Sequence, residues 1–197
     1  MKKLFLFLLA LALMLCLCAC GEPQSPEDRA QQFLSTLLAD DAELQQLLLD
    51  SVTVIGEGVP QPTEEELAER TEREAALTQM LHDRFDGLAS PALLAKSAND
   101  GCLTLWQSRL AYSGAKAAIR DCSFTEEDSR LVFEASVHCV NGEEETDLPL
   151  RGEVVFDEDG LVDSFYLDED KHGCTGWLIE QETVVLNEKM ESLTQQP

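Results

Sequence analysis

The stretch that decides the fold reads RLVFEASVHCV (residues 130–140), NG (141–142), EEETDLPLRGEVVF (143–156), DEDG (157–160) and LVDSFYL (161–167). Phe133, Ala135, Val137 and Cys139 alternate with Glu134, Ser136 and His138, the period of a strand buried on one face. Leu148, Leu150, Val154 and Phe156 share a face over 146–156, and Phe165 and Leu167 share one over 161–167. Asn141-Gly142 is a strong hairpin signal because both residues accept positive φ. Asp157-Glu158-Asp159-Gly160 marks a second hairpin. Upstream, residues 116–124 predict a first strand, with a polar turn at 125–128. The pattern predicts one antiparallel meander, with a bulge or an edge at Pro149, which has no N–H to give a ladder.

Before residue 116 the period changes to that of helices. Ser25 reads as an N-cap, followed by Pro26 and the acids Glu27 and Asp28. Ala30, Phe33, Leu34, Leu37, Leu38, Leu44, Leu47 and Leu48 then recur at helical spacing, with a lapse at Asp40-Asp41. A β-like run, Val52 to Ile55, dissolves into glycines and prolines. Thr63 and Glu66 make a capping box for a helix ending near Phe85 and Gly87. Ser90-Pro91 opens a short helix that Asn99-Asp100-Gly101 breaks, and a further helix is expected from Leu103 to Tyr112. In the tail, Thr183-Val184-Val185 suits a strand, whereas Ile179, Leu186, Met190 and Leu193 suit a helix, which is expected for its second half. The fold class is therefore α+β, with N-terminal helices packed on a curved four-stranded antiparallel meander, all within one domain over 26–197.

The chain starts with Lys2 and Lys3 and an apolar run from Leu4 to about Leu17, shorter than the ~20 residues of a spanning helix. Leu17-Cys18-Ala19-Cys20 resembles a bacterial lipobox, aliphatic at −3 and small at −1. Residues 1–19 are expected to be a lipoprotein signal peptide, Cys20 the lipidated residue and 20–25 a tether to an extracytoplasmic membrane surface. The formal charge is −24, from 14 basic and 38 acidic residues. Loss of Lys2 and Lys3 with the leader makes the mature chain −26. That excludes a nucleic-acid footprint and disfavours lying flat on anionic lipid.

From Thr71 to Asp170 the chain resembles secreted lipoproteins of gut Firmicutes. The resemblance rests on RFDGLASPALLAKSAND (84–100), AIRDCSF (118–124), RLVFEASVHCVNGEEE (130–145) and GEVVFDEDGLVDSFYLD (152–168). It implies the cone of the nuclear transport factor 2-like (cystatin-like) superfamily, which hosts enzymes and binding modules alike. It carries no catalytic residue over. The four mature cysteines depart from the usual pattern.

No nucleophile elbow, P-loop or dinucleotide fingerprint is present. His82, His138 and His172 have no metal-ligand spacing, and no cofactor or metal is expected. The acidic clusters 143–145, 157–159 and 168–170 lack the alternating ligands of a calcium loop. Trp106, Tyr112, Phe133 and Phe165 are candidate pocket residues of the cone, with simple core as the alternative. Export permits disulfides among Cys102, Cys122, Cys139 and Cys174. If Cys122 faces Leu131, Cys139 lies ~26 Å further along the strand, beyond a bridge's reach. Cys139 and Cys174 fall at one end of the sheet, so Cys102–Cys122 and Cys139–Cys174 are the expected pairs, with free thiols as the alternative. The leading functional expectation is a lipid-anchored module binding a small molecule or an envelope protein. Its rivals are a hydrolase or isomerase with an acidic residue in the cone, and an accessory subunit of an envelope transport or assembly complex.

Overall fold

The computed structural model describes residues 24–51 and 62–194, with side chains up to residue 187. The leader, Cys20, most of the tether and the Val52–Ile55 run lie outside the described residues.

Helix α1 (Pro26–Leu37) starts as its sequence predicts: the Ser25 hydroxyl accepts the Asp28 N–H at 3.1 Å, and Pro26 occupies the first turn. It buries Ala30, Phe33, Leu34 and Leu37. The lapse at Asp40-Asp41 is a full break, because the Asp41 carboxylate accepts the Leu44 N–H and opens a separate helix, α2 (Ala42–Asp50). The Arg84 guanidinium pairs with Asp41 across this corner.

Helix α3 (Glu64–Phe85) carries the complete Thr63–Glu66 capping box. Its first half is solvent-facing, and it joins the body through Leu77, Leu81 and Phe85. Gly87, at φ 67°, turns the chain towards the sheet. There Ser90 N–H donates to Val162 O and Val162 N–H donates to Leu88 O, both at 2.8 Å. The Ser90 hydroxyl then caps α4 (Pro91–Asp100) and donates to Asp163. Helix α5 (Leu105–Ser113) is shifted two residues from its expected start.

The sheet has the order β1 (Lys116–Glu127), β2 (Arg130–Asn141), β3 (Glu144–Phe156), β4 (Val162–Leu167), all neighbours antiparallel. The meander is as expected, but two turns differ. β1 continues through the predicted polar turn to Glu127, and Asp128 takes the positive φ of 55°. Cys122 consequently pairs with Ala135, and Leu131 pairs with Glu126. In the second hairpin Asn141 pairs with Glu144, so Gly142 and Glu143 form the loop. Positive φ is needed at Gly142 alone, which fits a turn with glycine at its first central position. Pro149 makes no bulge: it pairs with Ser136 in continuous register. β4 pairs with β3 from Gly152 onward, so Pro149 lies beyond its end, and the edge reading holds.

Helix α6 (Cys174–Thr194) covers the whole tail, including the run suited to a strand. Trp177 and Leu178 are buried against the body, whereas Val184 is exposed, so the β-branched run costs no packing. One apolar core joins these elements other than α2, from Phe33 and Phe85 through Trp106, Phe133 and Val154 to Leu178.

Candidate functional site

The candidate pocket residues fill the interior. Trp106 is 2% exposed and Phe133 is fully buried. Phe165 meets the Phe33 ring edge-on, with centroids 5.3 Å apart, and Phe33 in turn packs on Phe85. Tyr112 is half-buried, and burial, aided by the nearby Glu182 charge, raises its hydroxyl above the usual tyrosine range. None of the four lines either of the two surface depressions described below. The alternation of β2 and β3 drives this outcome. Phe133 projects over Gly152, where an added Cβ would meet its ring atoms at 2.7 Å. Among the described residues, the buried polar side chains are Ser90, Ser97, Thr104, Gln107, Ser113 and Thr175, with no carboxylate among them.

The other face of the sheet is open. A trough of about 340 Å³ runs across β1, β2 and β3, walled by Asp121, Ser123, Glu134, Ser136, Pro149 and Arg151. Its course follows from the strand register: Asp121, Ser136 and Pro149 form one rung, and Ser123, Glu134 and Arg151 the next. The β1 ladder skips Arg120 between Ile119 and Asp121, an irregularity beside the trough. Cross-strand ion pairs border it. Arg151 Nε lies 3.1 Å from Glu134, and Arg130 lies 2.8 Å from Glu153. His138 Nδ1 lies 2.9 Å from Asp147, which fixes the ring and leaves Nε2 without a partner among the hydrogen bonds seen. Of the fourteen basic residues in the chain, Lys116, Arg120, Arg130 and Arg151 fall on the strands.

The His138–Asp147 pair escaped sequence reasoning because the hairpin centre was placed one residue early. A loop of Asn141 and Gly142 would have put Glu145 opposite His138. The observed loop, one residue later, shifts the partner by two and keeps the same face. A second depression, of about 240 Å³, separates the end of α1 from β1 and is lined by Ser35, Leu38, Ala39, Asp40 and Ala117 to Ile119.

All four described cysteines are thiols. Cys139 and Cys174 meet, with sulfurs 3.1 Å apart and no exposure to solvent. The expected Cys102–Cys122 bridge is absent. Burial raises both of these thiols above their ordinary range, and the Asp100 side chain raises Cys102 further. Among the described residues, no group of three His, Cys, Asp or Glu is placed to hold a metal ion. No helix among them is long and apolar enough to cross a membrane.

Comparisons of the chain with protein-family models, with curated proteins and with solved structures found no match.

Proposed function

We propose that the protein is a lipid-anchored extracytoplasmic interaction module that docks an envelope protein on the open face of its sheet. The observation that carries this reading is the contrast between the two faces. The side against the helices is packed solid, with Phe133 and Val154 fully buried. The other side presents a trough bordered by paired charges and one oriented imidazole. A partly preorganised surface of this kind, with charges along its border, suits a protein partner, because charges held in ion pairs set register and orientation. The anchor follows from Leu17-Ala19-Cys20, with Cys20 receiving the lipid and the mature charge of −26 holding the body off anionic lipid. The helix-then-meander order is compatible with the nuclear transport factor 2-like cone that the sequence resemblance implies, and we propose that assignment with it. In this setting the protein serves as an accessory subunit of an envelope complex.

The test is site-specific photo-crosslinking in the native envelope. A photoreactive residue at Ser123 or Ser136, both in the trough, is expected to capture one envelope protein. The same residue at Lys96, on the exposed side of α4, is expected to capture none. Equal capture from both places, or none from the trough, would remove the docking assignment. Replacement of Cys20 with Ala is expected to release the protein from the membrane fraction or to leave uncleaved precursor.

A further inference from the structure

We infer that Cys139 and Cys174 become a disulfide that clasps the start of α6 to the end of β2, while Cys102 and Cys122 stay as thiols. The two sulfurs come from distant parts of the chain, 35 residues apart, yet sit 3.1 Å from each other. The approach is built by the backbone. Cys174 is the first residue of α6 and is flanked by Gly173 and Gly176. A Cβ on Gly173 would come within 3.0 Å of Pro149 O, and one on Gly176 within 2.5 Å of Asp170 O. The helix start is thus seated tightly against β3 and the loop before it. Cys139, on β2, points to the same core-facing side as Phe133 and Val137.

The chemistry of the pair is asymmetric. Their contact, in which either thiol can donate, lowers the Cys139 thiol below its ordinary range, while the same contact and burial raise Cys174. The oxidant is a disulfide of the cell exterior, carried on a small thiol or an oxidoreductase. One thiolate of the pair attacks one of its sulfurs and expels the first thiol. The other cysteine then loses its proton and attacks the protein sulfur of the mixed disulfide, expelling the second. Two S–H bonds are lost and one S–S bond forms, and the two protons and two electrons reduce the oxidant to two thiols. Neither sulfur is exposed, so exchange happens while α6 is lifted, during folding after export, and the docked bridge is then shielded from reductants. The closed loop encloses all of β3 and all of β4. Cys102 and Cys122 have no sulfur neighbour, and their raised thiols supply little thiolate.

The test uses the full-length lipidated protein taken from the membrane fraction. It is quenched in acid, blocked with N-ethylmaleimide in denaturant and digested without reduction. Mass spectrometry is expected to find the Cys139 and Cys174 peptides linked, with maleimide on Cys102 and Cys122. The Cys102→Ser, Cys122→Ser double variant is expected to give the same link. Maleimide on Cys139 and Cys174, or a link from either to Cys102 or Cys122, would overturn the inference.

Discussion

At the scale of single residues, two buried positions carry more than their size suggests. Gln107 is 2% exposed and closes the break between α1 and α2. Its amide donates to Leu37 O and Ala39 O, and its carbonyl accepts from Gln45 at 3.1 Å. Gln107→Ala leaves these carbonyls without a donor, and a buried unsatisfied group costs about 1–3 kcal/mol. Chemical denaturation is expected to show a loss of that order with an unchanged slope. No loss would mean that water replaces the amide. Gly152 has no room for any side chain: a Cβ there would overlap the Tyr166 carbonyl and press on the Phe133 ring. Gly152→Ala is expected to destabilise by at least the ~1–3 kcal/mol of an overpacked core. A thermal midpoint equal to that of the wild type would contradict the packing of β3 against β4. Neither role could be read from the sequence. Gln107 looks like any polar residue on a helix, and Gly152 like any strand glycine, until long-range neighbours are known.

At the scale of elements, local chemistry was legible wherever a cap or turn residue sits beside its own partner. Ser25, Thr63 with Glu66, and Ser90 each cap the helix that their spacing predicts. Hydrogen bonds from the Thr63 backbone and hydroxyl hold the Glu66 carboxyl below its ordinary value. A depressed carboxyl contributes fully above its unfolded value, and the contribution fades as pH falls through the folded one. Amide protection in the first turn of α3 is therefore expected to drop as pH falls below the ordinary glutamate range and through the lowered Glu66 value. In Glu66→Gln that drop is expected to vanish, and hydrogen exchange measures both. An unchanged pH profile in the variant would show that the box does not hold the turn. What failed at this scale was register. The strands and their buried faces followed from alternation, but β1 ran three residues past its expected end, and the Gly142 hairpin turned one residue late. Alternation fixes a face, whereas a register depends on which residue takes the positive φ, and Asp128 and Gly142 each have neighbours equally suited to a turn. In the tail the helix expected for the second half holds, and it extends over the first half as well. The Thr183 to Val185 run favours a strand locally, and the docking of Trp177 and Leu178 overrides it.

At the scale of the whole molecule, the candidate site followed the registers. Of the aromatic residues named as pocket candidates, Trp106 and Phe133 lie in the core, Phe165 packs against it and Tyr112 is half-buried, places that alternation alone does not fix. The trough and the His138–Asp147 pair became visible only once three strands were aligned. The proposed function places docking on that outer face, with the lipid at one end of the chain and the α6 clasp behind the sheet. Swapping the charges of one exposed pair isolates the claim. In Glu134→Arg, Arg151→Glu the ion pair survives in reverse, and since such pairs contribute ~0–1 kcal/mol, the fold is expected to be unaffected. The decisive measurement is the yield of the envelope protein crosslinked from Ser136 in this swapped, full-length, lipidated protein, read beside its thermal midpoint. The account predicts an unchanged midpoint and loss of most of the crosslink. An unchanged midpoint with the same partner captured at the same yield would contradict it.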